Sequence, residues 1–351
     1  MEQLLYCRNG HLWDSTDGGT NWKKLSAIVP GSGVMAATFL AGSRTTLVAA
    51  VADKGLYRST NAGKTWTAVT SGLPHLVVTD VVANPSVANT LWATLEAGSA
   101  GQTGAVVKST NGGLNWAVLA GGLPAVNNPS PEFRSRFRSI GVDKTGTVLV
   151  TSDNSWSGHT TYRSTTGGTS WTVVLRPSTA PASAYSETAD GTEVAFDPRS
   201  NSRIYLANSE RIVRSDNTGS TWTDLGSKPS ALGGFTGTGF SGLVSTDIAF
   251  NPARPSQVAL CAMDGGNPLW SNNGGQSWTR PLAFWDSWGG CYDVAFSGPD
   301  SAWVLLGQAN GFNGIARTAD GGATWAVAEG AASGLPSPAR PLRRRVHRDL
   351  H

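Results

Sequence analysis

Short apolar runs of four to six residues, broken by polar and glycine-rich turns, follow one another along the whole chain. None approaches the roughly eighteen consecutive apolar residues that a membrane helix needs. In one stretch Val194-Ala195-Phe196-Asp197-Pro198 reads as a strand ending at a turn. Arg203-Ile204-Tyr205-Leu206-Ala207 follows as a second strand, Arg211-Ile212-Val213-Arg214 as a third and Thr221-Trp222-Thr223-Asp224-Leu225 as a fourth. Runs equivalent to the first of these recur at Asp80 to Ala83, Ser139 to Val142, Asp247 to Phe250 and Asp293 to Phe296, with Ala36 to Leu40 a weaker match. Strands this short, rich in β-branched residues and bounded by turn signals, predict an all-β chain.

A second periodicity fixes the architecture. An eight-residue box occurs seven times, as STDGGTNW (Ser15 to Trp22), STNAGKTW (Ser59 to Trp66), STNGGLNW (Ser109 to Trp116) and STTGGTSW (Ser164 to Trp171). It continues as SDNTGSTW (Ser215 to Trp222), SNNGGQSW (Ser271 to Trp278) and TADGGATW (Thr318 to Trp325). The closing tryptophans lie 44, 50, 55, 51, 56 and 47 residues apart, so each box sits in one copy of a four-strand unit. A four-stranded antiparallel unit repeated seven times predicts a seven-bladed β-propeller over residues 1–336. Within a box, the hydroxyl and the Asp or Asn oxygen are suited to cap backbone N–H groups of a tight turn. Glycine supplies positive φ, and the tryptophan plugs the turn onto the blade. The third position is Asp only at Asp17 and Asp320, and Asn61, Asn111, Asn217, Asn273 and Thr166 keep an acceptor there, so the boxes read as structural.

Both ends of the repeat are irregular. The first copy shows strands two to four between Leu4 and Leu25 without a first strand, and Met1 to Cys7 lacks the basic start and apolar core of a signal peptide. It reads as a strand already under way, which places the natural start upstream. Ser337 to His351 carries Arg340, Arg343, Arg344, Arg345 and Arg348 against Asp349 alone and lacks the alternation of an innermost strand. That tail reads as disordered or non-native, the sign of an altered C-terminus, with a basic interaction arm as the alternative. It also accounts for the net charge of +3, for without it the body carries about −1 and offers no basic patch for nucleic acid. Cys7, Cys261 and Cys291 have no metal-ligand spacing. Buried free thiols are expected, with a Cys261–Cys291 disulfide as the alternative, and the sequence points to no cofactor or metal.

Candidate chemistry belongs on the face opposite the boxes, where loops enter the first strands and link second to third strands. Asp80, Glu193, Asp247 and Asp293 recur at the start of first strands and would face a common axis. Asp286, Asp153 and Asp264 lie on nearby loops. Convergent carboxyls suit glycoside hydrolysis, in which one acid protonates the leaving oxygen while the other activates water or attacks. Asp247 with Asp293 is the candidate catalytic pair, and Asp153, Glu193, Asp264 and Asp286 are candidate binding residues. The competing reading is that an acid at a fixed blade position hydrogen-bonds the backbone of the next blade. Trp13, Trp92, Trp270 and Trp303 fall on predicted strands and read as core, leaving Trp156, Trp285 and Trp288 in Gly/Ser loops. Flat indoles there could stack on pyranose rings, or could instead close the axial opening. His159 is a further candidate.

The boxes match the Asp-box pattern of sialidases, family 74 glycoside hydrolases and sortilin-like domains. With Gly72-Leu73-Pro74, Gly122-Leu123-Pro124, Gly334-Leu335-Pro336 and TDIAFNP (Thr246 to Pro252), the chain most resembles one propeller of the family 74 xyloglucan-degrading enzymes. That resemblance implies an extracellular or periplasmic protein acting on a β-glucan such as xyloglucan. It also implies a second propeller absent from this chain, because the family draws one catalytic aspartate from each of two. Sialidases fit poorly, since Arg58, Arg163, Arg214 and Arg317 are repeat residues and Arg134, Arg136 and Arg138 form a local cluster rather than a triad drawn from separate blades. Two functions remain open: a glycan-active hydrolase or fragment of one, and a non-catalytic propeller that binds a glycan or protein, as sortilin-like and photosystem-assembly propellers do.

Overall fold

A computed structural model describes residues 4–8, 11–17, 20–26, 28–29, 32–97, 102–119, 121–123, 135–154, 159–175, 193–207, 212–225, 244–263, 268–279, 290–309 and 312–327. They form seven small antiparallel sheets, the blades of a seven-bladed β-propeller. Blade 1 contains Leu4–Arg8, His11–Ser15 and Lys23–Lys24. Blade 2 contains Val34–Phe39, Leu47–Val51, Gly55–Ser59 and Thr67–Ala68. Blade 3 follows with Val78–Ala83, Leu91–Leu95, Ala105–Ser109 and Ala117–Val118. Blade 4 contains Ser135–Val142, Val148–Asn154, His159–Ser164 and Thr172–Leu175. Glu193–Phe196, Ile204–Ala207, Ile212–Ser215 and Thr223–Asp224 make blade 5. Blade 6 has Val244–Phe250, Val258–Met263 and Leu269–Ser271, with a Trp270–Thr279 bridge where a fourth strand would lie. Gly290–Phe296, Ala302–Ala309, Phe312–Thr318 and Ala326–Val327 complete blade 7.

The described chain divides into two compact units, one including Lys24–Thr179 with blades 2 to 4, the other including Ala180–Arg343 with blades 5 to 7. In each unit the core lies between sheets. Leu47–Val51 and Leu91–Leu95 are buried at every position, because a second strand is covered on both faces. Val48, Leu56, Val81, Leu91, Val107 and Trp116 join blades 2 and 3 in one cluster, and Cys261, Trp270, Val294, Phe296 and Val304 join blades 6 and 7 in another. Fourth strands such as Thr67–Ala68 and Ala117–Val118 are two residues long and exposed, as rim strands can be. Trp92, Trp270 and Trp303 are buried as expected of core residues, while Trp13 is half-buried with Lys24 Nζ 6.0 Å from its ring.

Each box closes its turn in the way the residue types require. Ser59 Oγ accepts the Gly63 N–H at 2.9 Å and donates its own proton to Asn61 Oδ1 at 3.0 Å, while Asn61 Oδ1 accepts the Thr65 N–H at 2.9 Å. The hydroxyl has one proton to give, so the third position must be an acceptor. Asn, Asp and Thr satisfy that equally, as in Thr166, whose Oγ1 accepts the Ser170 N–H at 3.0 Å. Asp320 accepts from Thr324 and Thr318, and those bonds hold its carboxyl down at about 2. The turn places two successive residues at positive φ, Ala62 at 55° and Gly63 at 75° in blade 2, and Thr218 at 58° and Gly219 at 80° in blade 5.

Neighbouring blades are stitched at their box ends. The basic residue just before the box serine reaches the box carbonyl of the next blade: Arg58 Nε donates to Gly112 O at 2.7 Å, Lys108 Nζ to Gly167 O at 3.0 Å and Arg214 Nη1 to Gly274 O at 3.1 Å. The Gly-Leu-Pro loops dock beside them, where the Trp116 N–H donates to Ser71 O at 2.9 Å. A Cβ on Gly72 would lie 1.8 Å from the Trp116 carbonyl oxygen, and one on Gly121 would lie 1.9 Å from that of Thr169. Close backbone approach therefore explains these glycines.

The cysteines correct an expectation. Cys261 and Cys291 are joined as a disulfide between the second strand of blade 6 and the first strand of blade 7, with Cα atoms 4.9 Å apart. The two positions pack together in the cluster between those blades, which sequence separation alone conceals.

Gly72→Ala is expected to lower the urea midpoint by more than the roughly 1 kcal/mol that separates Gly from Ala in a regular element, because the backbone of blade 3 must move. Ser59→Ala, which strands the Gly63 and Asn61 N–H groups, should cost about 1–3 kcal/mol in the same assay. Cys261→Ala/Cys291→Ala should cost about 2–4 kcal/mol. Unchanged midpoints would show that these contacts do not hold the blades.

Candidate functional site

The first strand of each four-stranded blade is the edge of its sheet, so alternate N–H groups along it have no ladder partner. The recurrent acids answer that need. Asp80 Oδ1 accepts the N–H of Val81 at 2.8 Å, and its Oδ2 accepts that of Ile140, on the first strand of blade 4, at 3.3 Å. Asp247 repeats the arrangement, with Oδ1 on the Ile248 N–H at 2.8 Å and Oδ2 on the Val294 N–H of blade 7 at 3.0 Å. A register shift marks the same place in the strands, between Val78 and Asp80, Ser245 and Asp247, and Cys291 and Asp293. The bulge re-aims the side chain along the sheet edge towards the next blade. Backbone bonding to the next blade is thus what Asp80 and Asp247 do.

Asp293 occupies the equivalent position in blade 7, next to Val294, whose N–H Asp247 holds, so the two acids stand side by side at the seam. Enclosure by protein raises Asp247 well above the ordinary carboxylate range, and the charge of Asp293 raises it further. Enclosure also raises Asp293, its bond to Asp247 opposes the rise, and the charge of Glu193 adds to it. Asp293 is nevertheless exposed, and Asp247 half-buried. Glu193, Asp247 and Asp293 lie on the first strands of blades 5, 6 and 7, and the charge of Glu193 acts on Asp293.

The structure brings the candidate pair to the same seam, between the first strands of blades 6 and 7, with Asp247 bonded to the backbone there. Asp153 lies on the second strand of blade 4, in register with His159 on the third. Trp156, Trp285, Trp288, Asp264 and Asp286, with the tail 337–351, lie outside the described residues. Among the described residues no group of three or more His, Cys, Asp and Glu could hold a metal ion, and no helix is long and apolar enough to cross a membrane. The disulfide flanks the pair, Cys261 being the cross-strand partner of Asp247 and Cys291 preceding Asp293 by two residues. Superposing the repeats in sequence places Cys261 opposite Asp247, a signal the cysteine count does not use.

Seven antiparallel blades with carboxyls at the first-strand bulges define a β-propeller of the box-repeat type. The chain belongs to the family described as the DUF6242 beta propeller domain, whose model matches residues 1–211. No curated protein matches it. Among solved structures it is similar to the family 74 xyloglucanase of Xanthomonas campestris, with 19% identity and a TM-score of 0.64 over 92% of this chain and 47% of that one. It is also similar to YCF48 bound to the D1 peptide, with 18% identity and a TM-score of 0.58 over 89% of this chain and 87% of that one. YCF48 from Cyanidioschyzon merolae gives 16% identity and a TM-score of 0.54, with 87% of each chain covered. At these identities the likeness is one of fold, and the chain spans about half the length of the xyloglucanase.

Asp80→Ala is expected to lower the urea midpoint by an amount worth about 1–3 kcal/mol, since it leaves edge N–H groups without their acceptor. Asp80→Asn, which keeps one carbonyl acceptor, should recover part of the loss. Equal midpoints for the two variants and the parent would rule out the stitching role.

Proposed function

We propose that this chain is a glycan-binding β-propeller that does not hydrolyse glycosidic bonds by itself. The observation that carries the reading is the engagement of both Asp247 oxygens by backbone, Oδ1 by the Ile248 N–H and Oδ2 by the Val294 N–H, which commits that carboxyl to the seam of blades 6 and 7. Asp293 keeps an exposed face beside the half-buried Glu193, and carboxylates of that kind accept hydrogen bonds from sugar hydroxyls. Trp156, Trp285 and Trp288 are indoles in Gly/Ser-rich segments of the sequence, and their flat apolar faces would suit pyranose rings. The likeness to a xyloglucanase supports a β-glucan as ligand, and a chain spanning 47% of that enzyme would supply at most half of a two-propeller active site. A Cys261–Cys291 disulfide suits work outside the cytoplasm.

Hydrolysis is the second reading, favoured by one fact: a carboxyl that holds its proton above the ordinary range is what a general acid requires. Incubation of the purified chain with xyloglucan and other β-glucans, followed through binding by calorimetry and through reducing-end release, separates the two. Saturable binding without reducing ends is expected, weakened about tenfold by Asp293→Ala through the loss of a charged acceptor. Reducing ends that disappear in Asp247→Ala would establish the hydrolase instead. Failure to bind any glycan, with binding to a peptide of the kind held by the YCF48 propeller, would overturn the glycan assignment.

A further inference from the structure

The seam between blades 6 and 7 differs chemically from its counterpart between blades 3 and 4. In both, an aspartate on one first strand accepts the N–H of the next blade's first strand, Asp80 from Ile140 and Asp247 from Val294. The residue just before the accepted N–H is the buried Ser139 in blade 4 and Asp293 in blade 7. Asp247 therefore meets a second carboxyl at the point where it grips its neighbour. Both its oxygens are already engaged, Oδ1 by Ile248 and Oδ2 by Val294. Asp293 precedes the very residue whose N–H Asp247 holds, so with both acids ionised two negative charges stand side by side at the seam, and a proton on either relieves them.

Among the described residues, no cation is prominent in relieving that repulsion. Glu193, from the first strand of blade 5, adds a third negative charge. The second strand of blade 6 contributes Cys261, which does not titrate because it is bonded to Cys291. Tyr205, from the second strand of blade 5, packs at the far end of the strand against Phe250, with ring centroids 5.4 Å apart. The disulfide ties the same two blades beside the pair, so their strands cannot simply separate to dilute the charge.

We propose that the blade 6–blade 7 seam is a proton-operated clasp, closed while Asp247 and Asp293 share a proton and loosened when both ionise. This holds whatever the propeller binds. Its sign follows from linkage: both acids are raised in the folded chain, so the stabilisation is complete below the unfolded value of about 3.9 and is lost as pH rises through the folded values. Asp216 behaves oppositely. Ion-paired with Arg203 and Arg214 at 2.6 and 2.9 Å, it is lowered, so its contribution is lost as pH falls.

The test is the melting temperature between about pH 5 and about pH 8, where ordinary carboxylates are ionised throughout. The melting temperature of the parent is expected to fall across this interval, and that of Asp293→Asn to fall less, ending about 2–4 °C above the parent at the alkaline end. The amide introduced by Asp293→Asn would donate to an ionised Asp247 at every pH, which is why that variant should be the more stable there. Asp216→Asn should keep the fall of the parent. Parallel curves for Asp293→Asn and the parent would overturn the clasp. Should Asp293→Asn fail to fold, amide exchange at Val294 in the parent decides: protection corrected for intrinsic exchange should drop as pH rises, and constant protection would overturn the proposal.

Discussion

A blade of four short strands cannot satisfy its own backbone, and the rest of the structure follows from that shortfall. Its first strand is a sheet edge with unpaired N–H groups, its tight box turn exposes carbonyls, and its second strand presents two apolar faces. In each unit the neighbour supplies what is lacking. Aspartates cap the edge N–H groups, Arg58, Lys108 and Arg214 cap the box carbonyls, and the next sheet covers the apolar face. Each contact is worth only about 1 kcal/mol, so the fold rests on repetition rather than on a dominant interaction.

The same shortfall ties structure to chemistry. A carboxyl placed to cap an edge N–H stands where ligands of a propeller would approach, and repetition brings such carboxyls together. Where the next blade offers a serine the acid is a fastener, and where it offers Asp293 the fastener acquires a proton equilibrium. The two seams thus differ by the identity of one neighbouring residue, Ser139 in one and Asp293 in the other.

Much of the fold was legible in the sequence because the boxes state their own mechanism. Ser-x-Asn-x-Gly specifies an acceptor, a donor and positive φ at fixed spacing, and the short apolar runs around Val194, Tyr205 and Val213 are of strand length, bounded by turn residues. The acids at the strand starts were legible as a set. Whether they would grip backbone or stand free was not, since that depends on the bulge that turns Asp80 and Asp247 towards the next blade. The Cys261–Cys291 bridge was read the wrong way because thirty residues of separation hide two strands that pack side by side.

The chain by itself therefore determined the unit, its number and its turn chemistry, all set by local hydrogen bonding and hydrophobic period. It also named Asp247 and Asp293 as a pair worth attention, through repeat position alone. Tertiary structure decided what the pair is: two acids side by side at the blade 6–blade 7 seam, Asp247 anchored to Ile248 and Val294, flanked by a disulfide. The reason is physical. Separation, enclosure and shared protons are properties of groups brought together from different blades, and no local pattern of residues encodes the distance between them.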